Sequence, residues 1–140
     1  MGWSSKPSAF TKTIEADLTK KQKDIVIDAL QGVVLQSPVD TGAFRASHRV
    51  SINQTDQSFN EAEKDKGGGS TISKGTSALS RLVPYSTVYI QTNAPYATKI
   101  EYGDFTDKPE TPKTTGGYSR QAPQGVYSLT FNYIAQKYGG

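Results

Sequence analysis

Apolar residues recur at spacings of four and seven through the first quarter of the chain, at Phe10, Ile14, Leu18, Ile25, Ala29 and Val33, with Val26, Leu30 and Val34 widening the stripe in its second half. This periodicity predicts an amphipathic helix capped by Ser8 or Thr11 and running to about Gln36. At 1.5 Å per residue such a helix reaches roughly 40 Å, more than one domain of this size needs for its own core. Part of it is therefore expected to pack on a neighbour. Lys21 and Gln22 interrupt the stripe, so two shorter helices meeting at a bend near residues 19–23 are the alternative. Residues 1–7 read as a flexible polar lead-in.

The pattern then changes period. His48-Arg49-Val50-Ser51-Ile52-Asn53 alternates polar and apolar residues, as a strand with one buried face does. Residues 55–80 lose this regularity: a charged run, Glu61 to Lys66, precedes Gly67-Gly68-Gly69-Ser70-Thr71, and the region reads as a protruding loop or hairpin tip. A phosphate cradle is the sharper alternative, but no Gly-Lys-Ser/Thr ending and no apolar lead-in strand accompany the glycines. Residues 86–92 predict a second strand with Val88 and Ile90 on one face and Tyr89 on the other. Pro95 suits the first turn of a short helix packed through Tyr96, Ala97 and Ile100 and ended by Gly103. Residues 104–124 hold prolines, Gly116-Gly117 and many threonines without periodicity, and read as an extended loop that needs a neighbour to order it. Tyr127, Phe131, Ile134 and Tyr138 recur at helical spacing, although residues 126–131 also alternate like a strand; helix is the preferred reading.

The predicted class is α+β: a long N-terminal helix on a small antiparallel sheet, with short additional helices and long polar loops. The 140 residues fit one domain. Hydrophobic residues make up only 34% and glycines number 13, a thin apolar content that favours long loops, partner contacts, or both. Eight tyrosines suit surfaces that become interfaces, and equally a half-buried core. Sixteen basic against thirteen acidic residues leave a net charge of +3, too small and dispersed to demand nucleic acid. Even the densest basic group, Lys20, Lys21 and Lys23, sits among Glu15, Asp17, Asp24 and Asp28 and reads as a solvated helix face. The chain has no cysteine, which excludes disulfides and thiolate metal sites. No apolar stretch approaches the ~20 residues of a membrane span, and no signal-peptide core opens the chain, so it is expected to begin its life in the cytoplasm.

Reactive constellations are scarce. His48 is the only histidine; at the start of a strand beside Arg49 it reads as a partly exposed structural residue, since neither a metal site nor a serine triad has supporting spacing. Asp40 with Glu101 could form a carboxylate pair acting on a glycan. The cheaper readings are a helix cap for Asp40 and an arginine partner, Arg45 or Arg49, for Glu101. No catalytic residue, cofactor or metal is expected.

The segment Ser37-Pro38-Val39-Asp40-Thr41-Gly42-Ala43-Phe44-Arg45-Ala46-Ser47 has the most explicit local chemistry. Pro38 stops the preceding helix, Asp40 or Thr41 can cap a new helical turn, and Gly42 permits a tight one, so the segment predicts a rigid corner, with a ligand loop as the minority reading. From Val39 to Ser47 it resembles the Val-Asp-Thr-Gly-x-aliphatic-Arg-x-Ser corner of tail-completion, or head-to-tail joining, proteins of long-tailed bacteriophages. A second segment, Asn93-Ala94-Pro95-Tyr96-Ala97-Thr98-Lys99-Ile100-Glu101-Tyr102-Gly103, is similar to that family's Tyr-Ala, aliphatic-Glu-aromatic-Gly pattern. A third and weaker match is Gln121 to Val126. Phe44 stands where a smaller aliphatic residue is usual, and residues 55–80 are longer and more polar than the family's connection.

The resemblance implies a structural subunit and not an enzyme. It implies a homo-oligomeric ring, usually sixfold, that completes the head-proximal end of the tail, meets the tail terminator and the head connector or stopper, and encircles the DNA path without reading its sequence. It also implies a virion protein assembled in the host cytoplasm, away from membranes. Asp40, Thr41, Gly42 and Arg45 are then the structural corner, and Tyr96, Glu101 and Gly103 the second motif. A tail terminator or other minor tail protein is the alternative, and a DNA-binding module a more distant one.

Overall fold

Val88 and Ile90 are completely buried while Thr87 and Tyr89 are not, and this alternation marks the central strand of a four-stranded antiparallel sheet. The computed structural model describes residues 3–6, 9–15, 19–105 and 107–139. The strands are β1 (Trp3–Lys6), β2 (Ala9–Glu15), β3 (Arg49–Ile52) and β4 (Thr87–Thr92), in the order β1-β2-β4-β3. Along β4 the register sets Ile90 against Lys12 on one side and Val50 on the other, and Val88 against Ile14 and Ile52. The class is α+β, with both expected strands present.

The N-terminal expectations fail in two respects. Residues 3–6 are a strand paired to β2, not a flexible lead-in, and residues 9–15 are a strand, not the first turns of the helix. A spacing of four, as between Phe10 and Ile14, fits one face of a strand as well as one face of a helix, and the β-branched Thr11, Thr13 and Ile14 tip the segment to extended backbone. Helix α1 is accordingly Thr19–Leu35, 17 residues. That is about 25 Å long, within the span of one domain, and it removes the argument that the helix must reach a neighbour. Of the expected helical stripe, Leu18 lies outside the described residues.

The rest of the stripe forms the core. Ile25, Val26, Ala29, Leu30, Val33 and Val34 are buried against Val50, Val88 and Ile90 of the sheet and against Tyr127, Phe131 and Ile134 of the last helix, α4 (below). Gln22, which interrupts the stripe, is also fully buried and donates from Nε2 to the Ser86 carbonyl at 2.7 Å. The segment expected to protrude holds a helix instead, α2 (Gly69–Ala78), followed by a single 3-10 turn at Leu79–Arg81. Its start is fixed by Asp65, whose carboxylate accepts from the Gly68 and Thr71 amides and the Thr71 hydroxyl. Burial pushes the Asp65 carboxyl up, but these bonds outweigh it and hold the group below its ordinary value. A side chain at Gly75 would collide with Leu30 and Val50, so glycine lets α2 lie directly on α1 and β3.

Two further helices close the molecule. Helix α3 (Ala97–Tyr102) ends at Gly103 in a left-handed conformation, φ 68°, as the sequence predicts. Helix α4 (Tyr127–Tyr138) resolves the helix-or-strand choice in favour of helix, with Tyr127, Phe131 and Ile134 buried. Its far end is tied to α1 by Lys137, which meets Asp28 at 2.8 Å, and by the Tyr138 hydroxyl on the same carboxylate. Among the described residues no helix is long and apolar enough to cross a membrane.

Candidate functional site

Pro38 ends α1 and turns the chain, and the corner that follows is held by backbone and not by Asp40. Gly42 adopts φ 96°, and its carbonyl accepts from the amides of Ala46 and Asp65, both at 3.0 Å. Thr41 Oγ1 accepts from the Ala43 amide at 3.2 Å, and a 3-10 turn follows at Arg45–Ser47. Arg45 then reaches back: its guanidinium donates to the carbonyls of Leu35, Ser37 and Lys66. A cation is thus set on the open carbonyls that end α1, where the helix dipole favours it. Arg45→Ala is expected to lower the unfolding free energy by about 2 kcal/mol, read as a shifted urea midpoint at unchanged slope.

Asp40 caps nothing. It is exposed on the far side of the corner and meets Lys113 at 3.5 Å. Glu101, expected to pair with an arginine, is buried and accepts from three consecutive amides at the start of α4: Val126 at 3.0 Å and Tyr127 at 2.7 Å on Oε1, and Ser128 at 2.9 Å on Oε2. A carboxylate on those unpaired N–H groups is a charged cap supplied from 25 residues upstream. Arg49 takes Glu63 instead, at 2.7 Å. The two carboxylates are committed to separate partners and do not form a pair.

His48 also differs from expectation. It is 3% exposed, with Nδ1 2.9 Å from the Tyr127 hydroxyl and Nε2 2.6 Å from Ser37 Oγ, which in turn lies 2.5 Å from the Val33 carbonyl. One tautomer satisfies every group: Tyr127 O–H donates to Nδ1, Nε2–H donates to Ser37 Oγ, and the serine donates to Val33. Burial, with Arg49 and Arg45 adding to it, pushes the imidazole pKa down to about 3, so the ring is neutral near pH 7. A serine and a histidine therefore do meet, which sequence spacing did not reveal. They meet in the core, with a tyrosine where a triad has its carboxylate, and Ser37 is 1% exposed. This is a structural network tying α1, β3 and α4 together.

The corner and the second motif form two walls of one groove of about 780 Å³. Val39, Thr41 and Phe44 come from the first wall, Tyr96, Lys99 and Ile100 from the second, and an arm from Phe105 to Gln121 closes the third side. Aromatic contacts build the floor: the Phe44 and Tyr96 ring centroids are 5.8 Å apart, and Lys99 Nζ lies 5.9 Å over Phe105. The arm, expected to need a neighbour, closes on itself through a two-stranded hairpin, β5 (Thr114–Thr115) with β6 (Tyr118–Ser119). Glu110 accepts from the Gly116 amide at 2.5 Å, and Arg120 Nε donates to the Thr111 carbonyl at 2.9 Å. The arm is then fastened to the corner by Gln121, whose side-chain amide both donates to and accepts from the backbone of Val39.

Around the groove Lys113 is matched to Asp40 and Arg120 to Glu110, while Glu61 and Lys108 make no ion pair among the described residues. Glu61 lies near enough to Tyr96 to add to the burial that raises its phenol pKa. Among the described residues no cluster of three potential metal ligands occurs. The groove thus combines an apolar, aromatic floor with a rim of both charges. No family model, no curated protein and no solved structure matches the chain.

Proposed function

We propose that this chain is a non-enzymatic structural subunit of the neck of a long-tailed bacteriophage, a tail-completion protein that joins the tail to the head connector. It forms a ring, sixfold by the resemblance, that encircles the DNA path without sequence-specific binding, and it resides in the virion after assembly in the host cytoplasm. One observation carries the reading: the two segments that resemble the family, residues 39–47 and 93–103, converge on a single groove whose chemistry suits a protein partner. The small net charge of +3 suits a subunit that does not depend on charge to hold nucleic acid.

The test is electron microscopy of a lysate in which the parent genome expresses every gene but this one. Filled heads lying apart from full-length tails are expected. Tails of uncontrolled length would assign the chain to tail termination instead, and intact virions would remove it from the neck altogether.

A further inference from the structure

The arm that closes the third side of the groove covers it without filling it. Residues 107–121 supply nearly half of the groove lining, and apart from Pro112 every one of those lining residues is polar or charged, whereas the floor beneath them includes Phe44, Tyr96 and Ile100. Within residues 107–121 only Gly117 is buried, and none belongs to the hydrophobic core. The arm therefore adds little to the apolar burial that holds the domain together, and segments of that kind are the first to separate from a fold.

It is nevertheless not a loose loop, because it is bonded to itself. The Gly117 amide donates to the Pro109 carbonyl at 3.2 Å, the Arg120 amide to the Lys113 carbonyl at 2.9 Å, and the Thr114 hydroxyl to the Lys108 carbonyl at 2.8 Å. Its ties to the corner are fewer and exposed. Gln121 takes both backbone groups of Val39, accepting from the amide at 2.8 Å and donating to the carbonyl at 2.9 Å, and Lys113 meets Asp40 in a pair whose side chains are both largely exposed. An ion pair in that setting holds little, so Gln121 is the main fastening. Towards α3 the contact is close instead: the Tyr118 ring lies on Gly103, and neither Gly103 nor Gly117 has room for a Cβ. A self-bonded unit, seated tightly on one side and fastened by exposed bonds on the other, has the construction of a hinged strap.

We propose that residues 107–121 are a strap that pivots on its seat at Gly103 and opens the groove when Gln121 lets go of Val39. Opening uncovers Phe44 and Ile100, each 6% exposed when the strap is shut, so the closed form is the resting one. The strap governs access to the groove whatever binds there, and it stands or falls apart from the neck role.

The chain's lack of cysteine gives a clean test. Glu61→Cys/Lys108→Cys carries one spin label on the body and one on the strap, both at the groove, and leaves the fastening intact. Pulsed dipolar spectroscopy is expected to show one main separation. Adding Gln121→Ala, which removes both hydrogen bonds to Val39, should raise the share of a longer separation about tenfold. A distance distribution that Gln121→Ala leaves unchanged would overturn the strap. Amide hydrogen exchange on the Gln121→Ala chain then shows whether the unit moves whole: the Gly117 and Arg120 amides, bonded within the strap, should keep their protection, as should those of α1. Loss of protection at Gly117 and Arg120, alone or together with α1, would mean that the arm unravels or that Gln121 holds the fold as a whole, and would equally overturn the proposal.

Discussion

Glu101→Ala is expected to cost about 4 kcal/mol of folding stability, a large share of the roughly 5–15 kcal/mol that holds a domain together. The substitution removes the acceptor for three consecutive amides, those of Val126, Tyr127 and Ser128, the first two at buried positions. Alanine also leaves a void beside Gly125, whose backbone lies against the carboxylate. Glu101→Gln separates the contributions. Its single oxygen can still serve Val126 and Tyr127, but its NH2 group faces the Ser128 amide donor to donor, so a loss of about half that size is expected. Urea unfolding gives the totals. Hydrogen exchange locates them: protection should fall first at residues 126–128, and a uniform fall across all four helices would contradict a local cap.

Acidification should weaken the protein well above the carboxylate range, through its only histidine. His48 has a folded pKa of about 3 against an ordinary value of 6.5, so the unfolded chain binds the proton more readily. Stability from the neutral ring is therefore fully present above about pH 6.5 and drains away as pH falls toward about 3. Between pH 7 and pH 5 the loss is about 2 kcal/mol, and over the whole interval on the order of 5 kcal/mol. Asp28, Asp56, Glu63, Asp65 and Glu110 are also held below their ordinary values, and their contributions are lost in the same direction but at lower pH. Denaturant midpoints at half-unit steps from pH 7 to 5 isolate the histidine. In His48→Gln, which keeps a polar group but cannot titrate, the slope in that window should vanish; a slope that persisted would place its origin elsewhere.

What the sequence disclosed depended on whether local pattern and tertiary context agreed. β4 was legible because Val88 and Ile90 alternate with polar neighbours and no other period fits. α3 was legible because Pro95 and Gly103 bracket it with opposite chirality demands. At Phe10 and Ile14 a spacing of four serves two periods, and only pairing with β4 decides between them. α2 was hidden by composition, since its glycines, serines and threonines read as flexible. The signal was present in another form: Thr71, Gly75 and Leu79 recur every fourth residue, all three buried, a stripe of mostly small residues where a larger Cβ would strike α1.

The site was legible in its parts and not in its connections. Both groove walls stand out in the sequence, but nothing local announces that they line one groove or that Gln121 would fasten the arm to Val39. An arginine is the simplest partner to expect for an acid such as Glu101, whereas its bonds are to uncharged amides far along the chain. A histidine at the start of a strand is expected to be partly exposed, yet His48 is buried. Tyr127 and Ser37, which satisfy both ring nitrogens, are what allow it inside.

The sheet order also dictates when the chain can acquire its fold during synthesis. β4 lies between β2 and β3, and the register joins Phe10 to Thr92, so β3 has no partner and β2 lacks its second one until residues 87–92 have left the ribosome. Before then only the hairpin of β1 with β2 and the helices can form, and the apolar face of α1 waits without a sheet to cover it. The cap that Glu101 gives α4 comes later still. Folding of this protein is in effect a single late event near the end of translation, and the interval before it is when a nascent chain is most exposed to chaperones, or to a second nascent copy.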